Sequence, residues 1–295
     1  MKHMKRLGLV CFWGLICCLL AAPPVFAETV LEKIDRTGSI TMGYREGGVP
    51  FGYINDKGEW GGFDMDLGDI LVQKLEEKLG KKIKYNKTPI NPKTRIVLVA
   101  NRTVDIVMGA TTITMAREEV VDFSLPYFLT GTKVLVPKGS SIRSFKDLAG
   151  KRVGAGNGCT PHIKALNNAI ADKRIDPACE IVLFEDHLKG FLGLQQGKVD
   201  AYFTDESMLA GMVAKARNPQ DWEIVGSFVT YEPYGFILPK DDSDWRDFVN
   251  ATLIGLIRSG EFEKIYEKWF GPRGVVVYPM SEEYKNMLNV LTFPE

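Results

Sequence analysis

Two periods of hydrophobicity take turns along the chain from about residue 30 to residue 270. Short β-branched runs alternate with longer stretches in which apolar residues recur every three or four positions, the pattern of an α/β protein. Ser39–Gly43 predicts a first strand, reached from a short helix over Val30–Asp35. Over Phe63–Leu79, residues Leu67, Ile70, Leu71, Leu75 and Leu79 keep helical spacing, and Gly80 stops the helix. A strand at Lys82–Tyr85, a helix at Thr94–Ala100 and a buried strand at Asp105–Met108 follow. After the extended run Lys133–Val136, which ends at Pro137, a second unit begins. Its strands are Arg152–Ala155, Glu180–Phe184 and Ala201–Thr204, and its helices Pro161–Ala171, Leu188–Gln196 and Met208–Ala216. Ile224–Val225 and Phe236–Leu238 read as strands on either side of a second crossing, and Trp245–Trp269 as amphipathic helix broken at Gly260. Two α/β units joined by two crossings predict a bilobed molecule. Residues 28–131 and 231–295 form one lobe, with Tyr278–Glu295 a short tail, and residues 132–230 the other. Small ligands bind where strand ends and helix N-termini face such a cleft.

The first 27 residues stand apart. Lys2, Lys5 and Arg6 precede an apolar run from Leu7 to Ala22, and Val25-Phe26-Ala27 offers small residues at a cleavage site before Glu28. This is the pattern of a secretory signal peptide, which places the mature protein in the periplasm. The whole chain balances 37 basic against 37 acidic residues. Removing the three basic residues of the leader leaves 34 against 37, which gives no electrostatic case for nucleic acid. Cys159 and Cys179 are the cysteines left, and spacing alone does not decide between a disulfide and two separate thiols.

Little in the sequence suggests a cofactor or metal. The mature chain has two histidines, His162 and His187, no Cys-x-x-Cys pair, no Gly-x-Ser-x-Gly elbow and no phosphate loop. Gly154-Ala155-Gly156-Asn157-Gly158 has the wrong spacing for a dinucleotide fingerprint. It does lie between a strand and the helix opening at Thr160-Pro161, where free backbone N–H groups suit a carboxylate. The second candidate is the loop Gly109-Ala110-Thr111-Thr112, at the carboxyl end of the strand Asp105–Met108. Hydroxyls at Thr112 and Thr114 and the guanidinium of Arg117 could form a carboxylate clamp there, or a self-satisfied turn.

The run DIVMGATTITMAREEVVDF (Asp105–Phe123) resembles the signature of the family 3 extracellular solute-binding proteins of amino-acid ABC transporters. So do GYREGGVPFGYINDKGEWGGFDMDL (Gly43–Leu67), GKRVGAGNGCT (Gly150–Thr160) and AYFTDESML (Ala201–Leu209). The resemblance spans essentially residues 28–272. It implies the bilobed type II periplasmic-binding-protein fold, a monomer that binds an amino acid and hands it to permease subunits, and no catalysis. By the same resemblance Arg117 holds the ligand α-carboxylate with help from Thr112 and Thr160, and Asp205 takes the α-ammonium. Asp205 could instead serve as the N-cap of the helix that follows it.

Within the family, YREGGVPF, KTRI around Arg95, EDH ending at His187 and AKARNPQDWEIVG resemble the glutamate- and aspartate-binding members. That likeness puts Arg45, Arg95 and His187 at the side-chain end of the pocket, although Arg95 also suits a solvated helix face and His187 a helix cap. Gly48 and Pro92 stand where many relatives carry an aromatic pair, Cys159 where a hydroxyl is common, and Ala110 likewise lacks a hydroxyl. Two alternatives remain at this level: a glutamine or asparagine binder, and a cyclohexadienyl dehydratase acting on prephenate or arogenate. The dehydratase needs a general acid in the cleft, and no second cleft carboxylate is identifiable from sequence.

Overall fold

A computed structural model describes residues 28–293; the predicted leader, residues 1–27, lies outside them. The chain folds as two α/β lobes. The first is built on a five-stranded sheet in the order Lys84–Ile90, Ser39–Arg45, Ile106–Val107, Ile237–Leu238, Asp122–Phe123. Its first three strands are parallel and Ile237–Leu238 runs against its neighbours. Ser39–Arg45 extends two residues past the predicted end because it pairs in register with Lys84–Ile90 along its whole length. That partner begins two residues later and runs five residues further than the pattern suggests. It is an edge strand, which tolerates Pro89. The helix Phe63–Leu79 ends as predicted, with Gly80 in the left-handed region (φ 64°) donating its N–H to Glu76.

The second lobe carries the strands Glu180–Phe184, Arg152–Gly156, Ala201–Asp205, Phe128–Pro137 and Trp222–Val225, in that order. Phe128–Pro137 passes from the first lobe into the second, and Tyr231–Tyr234 returns antiparallel beside it, Tyr231 opposite Gly131 and Tyr234 opposite Phe128. The pattern Tyr-Glu-Pro-Tyr predicts no strand there; it forms one because the outgoing crossing supplies an edge to pair with. Where the crossings meet, Thr132 donates its N–H to the Thr230 carbonyl at 3.1 Å and the two hydroxyls are 2.8 Å apart.

Each lobe buries its own core. Phe51, Phe63, Phe128, Tyr266 and Phe270 pack ring against ring in the first, and Val134, Val136, Val153, Leu166 and Phe203 fill the second. The predicted tail is a structured part of the first lobe. Glu282–Leu291 is a helix capped by Ser281, and its buried Tyr284 donates to the Tyr127 carbonyl at 2.7 Å. Its apolar positions, Tyr284 and Leu288, are four apart, a pattern too short to stand out in the sequence. Cys159 and Cys179 are both buried and unpaired. Among the described residues no helix is long and apolar enough to cross a membrane.

Candidate binding cleft

The first lobe presents the loop Gly109–Thr112, which leaves the sheet just after Ile106–Val107. Ala110 sits at φ 47°, a left-handed conformation that costs a non-glycine residue energy and must be held by its surroundings. Buried Asp64, in the first turn of Phe63–Leu79, does so by accepting from the Ala110 N–H at 3.2 Å and from the Tyr127 hydroxyl at 2.9 Å. Burial pushes the Asp64 carboxyl up to about 7 despite those bonds.

Three guanidiniums converge on this loop. Arg45, at the end of its strand, donates Nε to the Gly109 carbonyl at 2.7 Å and Nη2 to that of Ala110 at 3.2 Å. Arg95 donates Nη1 to the Ala110 carbonyl at 3.2 Å and to the Thr111 hydroxyl at 2.8 Å, while its buried Nε has no partner. Arg117, in the turn Met115–Glu118, donates to the Thr112 carbonyl. All three are at least nine-tenths buried. Burial and the neighbouring charges of Arg117 and Arg45 disfavour the charged form of Arg95. Because a guanidinium does not give up its proton, that electrostatic strain becomes a demand for anions. Arg95 is therefore not a solvated helix residue.

The second lobe answers with the helix Thr160–Ala171, whose N-cap Cys159 makes no side-chain cap bond. Thr160 is exposed on the lip of the cleft, its Oγ1 3.4 Å from Arg117 Nη2. His187 is the first residue of its helix, and the cap is Asp186, which accepts from the Lys189 N–H. The buried His187 ring lies 3.1 Å from the Tyr202 hydroxyl through Nδ1 and 4.0 Å from Cys159 Sγ through Nε2. Asp205 occupies the N-cap position of Glu206–Ala214 but makes no side-chain cap bond. Its carboxylate faces His162 instead, Nε2 to Oδ1 at 3.0 Å. Burial works against both charges, yet each holds the other ionised: His162 is raised to about 10 and Asp205 lowered to about 2.

A second cleft carboxylate exists, contrary to the sequence reading. Glu232, on the return crossing, is 1% exposed. Its Oε1 accepts from the Thr230 hydroxyl. Thr112 lies near the carboxyl, but Oε2 has no hydrogen bond of good geometry. Neither His162 nor Glu232 stands out in the sequence as a site residue. His162 lies in an ordinary helix and Glu232 in what reads as a loop, so only the fold brings them to Asp205.

The lobes touch across the cleft. Arg117 Nη2 is 3.4 Å from the Gly158 carbonyl, a Cβ on Gly158 would lie 2.6 Å from the Pro92 carbonyl oxygen, and one on Gly211 1.9 Å from that of Val49. A cavity of about 330 Å³ remains between them, lined by Arg45, Ile90, Pro92, His187 and Leu188 among others. The structure thus brings Arg45, Arg95, Gly109, Thr111, Thr112, Arg117 and Thr160 around one loop and the helix end facing it. His187 stands across the cavity from Arg45, and Asp205 lies within the electrostatic reach of Arg117.

Comparison with known proteins bears on the fold and the family. The family described as bacterial extracellular solute-binding proteins, family 3, matches residues 40–272. The L-glutamate/L-aspartate-binding protein of Pseudomonas aeruginosa is 37% identical over 288 residues, 93% of each chain. The glutamate/aspartate import solute-binding protein of Escherichia coli is 35% identical over 85% of this chain and 82% of its own. Among solved structures, an ancestral amino acid-binding protein described as a precursor of cyclohexadienyl dehydratase superposes with a TM-score of 0.70 at 31% identity, covering 82% of this chain and all of its own.

Proposed function

The chain belongs to the bacterial extracellular solute-binding proteins of family 3, and from that we propose that it captures glutamate or aspartate in the interlobe cleft and delivers it to an ABC permease. The observation that carries the ligand class is the charge arrangement: Arg45, Arg95 and Arg117 buried around one loop, with Asp205, held ionised by His162, within electrostatic reach of Arg95 and Arg117. An α-carboxylate suits Arg117 and the uncapped helix end at Thr160, which offers the Thr160 N–H and a favourable dipole. An α-ammonium suits Asp205. A second carboxylate, on the ligand side chain, suits Arg45 and Arg95 with His187 opposite. A neutral amino acid would leave part of that positive charge without a partner, which a buried site penalises. The named relatives are solute-binding proteins rather than enzymes.

Closure of the lobes about the paired crossings at Thr132 and Thr230 would desolvate both ends of the ligand and present the closed face to the permease. In this reading residues 1–27 are a cleaved export signal and the protein works as a periplasmic monomer. Thermal unfolding of residues 28–295, stripped of ligand by unfolding and refolding, tests it against the twenty amino acids and prephenate. A ligand at a hundred times its Kd adds about 2.7 kcal/mol, enough to raise the melting temperature visibly. Stabilisation confined to glutamate and aspartate supports the reading; stabilisation by glutamine alone, or product formation from prephenate, overturns it.

A further inference from the structure

We infer that Glu232 is a second carboxylate for the ligand's ammonium group, and that His162 is the positioning residue that lets it stand ionised beside Asp205. This rests on the amino-acid reading above and goes beyond it by naming what separates an amino acid from a dicarboxylate without nitrogen.

One donor atom each from His162, Asp205 and Glu232 lies within 4.8 Å of the other two, and all three residues are buried. They come from three elements: the helix Thr160–Ala171, the end of the strand Ala201–Asp205, and the return crossing Tyr231–Tyr234. Two buried carboxylates this close would ordinarily share a proton, because both cannot ionise without a cation between them. His162 supplies one cation. Its Nε2 is 3.0 Å from Asp205 Oδ1 and its Nδ1 is 3.4 Å from the Thr204 hydroxyl, so both ring nitrogens have a partner in place. An imidazolium donating at both nitrogens offers no lone pair to a metal ion. The trio therefore suits a hydrogen-bond-donating cation rather than a coordinated metal.

Counting charges identifies that cation. His162 contributes one positive charge, and Asp205 and Glu232 one negative charge each, leaving the trio one cation short; Cys159, which also faces His162, adds no positive charge. Burial and the neighbouring Asp205 charge raise Glu232, as expected of a carboxylate with too little positive charge around it. Glu232 Oε2 also lacks a hydrogen bond of good geometry. A primary ammonium meets both needs, neutralising the trio and donating to Oε2 and to Asp205. Arg117, Arg95 and His187 also act on the pair electrostatically, but the reading above commits them to the ligand's two carboxylates, so none of them supplies the missing donor.

Isothermal titration of glutamate and of glutarate, which carries the same two carboxylates and no nitrogen, tests the inference. Glu232→Gln should weaken glutamate 10- to 100-fold and change glutarate less than threefold, so that the preference for the aminated ligand collapses. Glu232→Asp should recover part of that preference. His162→Gln should weaken glutamate about tenfold, again sparing glutarate. Equal losses for both ligands would reduce Glu232 to a hinge-holding residue and overturn the inference, as would an unchanged glutamate affinity. If Glu232→Gln does not fold, Glu232→Asp and His162→Gln carry the same comparison. Should the wild-type protein bind a different amino acid, that ligand and its deaminated analogue replace the pair; the acidic-ligand reading then fails while Glu232 is still judged on its own. A protein that binds no amino acid at all sinks both.

Discussion

His162 Nε2 and Asp205 Oδ1 stand 3.0 Å apart, 43 positions apart in sequence and both nearly inaccessible to water. Taking one partner away leaves the other charged and buried, which costs a protein about 3–5 kcal/mol. The pair also sets a pH window. His162 is raised in the fold to about 10 from an ordinary 6.5, so its stabilising contribution is complete below pH 6.5 and is lost as pH rises toward 10. Asp205 is lowered to about 2 from 3.8, so its contribution is complete above pH 3.8 and is lost as pH falls through 2. The stability difference between wild type and His162→Gln, measured by urea unfolding without ligand, should be largest between about pH 4 and 6.5 and shrink steadily toward pH 10. A difference that stays flat across that range would show that the pair is not ionised.

The arginines should separate by ligand. Arg117→Ala should weaken every amino acid at least a hundredfold, since each ligand presents an α-carboxylate and a bidentate charged contact contributes roughly 1.5–3 kcal/mol before the cost of an unpaired carboxylate is added. Arg45→Ala should cost glutamate about tenfold more than glutamine. Titration calorimetry with both ligands reads the contrast, and equal losses for the two at Arg45 would remove the charge-based account of specificity.

Asp64 should impose a slope of its own. The folded state raises its pKa from 3.8 to about 7, so the native protein holds that proton more tightly than the unfolded chain, and stability falls as pH rises from about 4 to 7. Asp64→Asn should flatten this segment of the curve. It also replaces an acceptor of two buried donors, so the loop at Ala110 should loosen and glutamate binding weaken several-fold. Unfolding midpoints of the two proteins between pH 4 and 8 provide the check.

What the sequence discloses follows how local each signal is. The strand–loop–arginine run from Asp105 to Arg117 and the glycine loop before Thr160 are contiguous, so motif and geometry coincide there. His162 and Glu232 are functional only through proximity to Asp205, and no spacing announces that three separate elements converge. Tyr231–Tyr234 becomes a strand by tertiary pairing against its own propensity, since Pro233 discourages one. The uncertainty about the cysteines is likewise geometric. Cys159 sits at the N-cap position of a helix at the cleft, while Cys179 packs in the core of the second lobe with Ile175 and Leu166, and neither position can be read from a loop length.

That separation makes the two thiols report on different events. Cys159 touches the cleft and lies beside His187; burial would raise its pKa, but His187 and His162 draw it well below the ordinary thiol value. With the lobes in contact it is 3% exposed, so an alkylating reagent should reach it only when they part. Saturating glutamate should slow iodoacetamide labelling of Cys159 at least tenfold, as read by peptide mass spectrometry, and leave the rate at Cys179 unchanged. Protection of both thiols alike would indicate global stabilisation instead of closure.

Closure should depend on Gly211, in the helix Glu206–Ala214 of the second lobe, where an added Cβ would lie 1.9 Å from the Val49 carbonyl oxygen of the first. No side chain fits there while the lobes touch, and the obstructing atom is backbone, which cannot rotate away. Overpacking of this kind typically costs about 1–3 kcal/mol. Were the lobes to part there, the same methyl group would meet solvent, and alanine is better than glycine within a helix by about 1 kcal/mol. Gly211→Ala should therefore leave the ligand-free protein as stable as wild type or slightly more so, while glutamate affinity falls roughly 5- to 100-fold even though no ligand contact has changed. Small-angle scattering should find the wild type compacting on ligand addition and the variant compacting less. If affinity and compaction both stay at wild-type values, the helix slides to accommodate the methyl group and the Val49–Gly211 contact does not control closure.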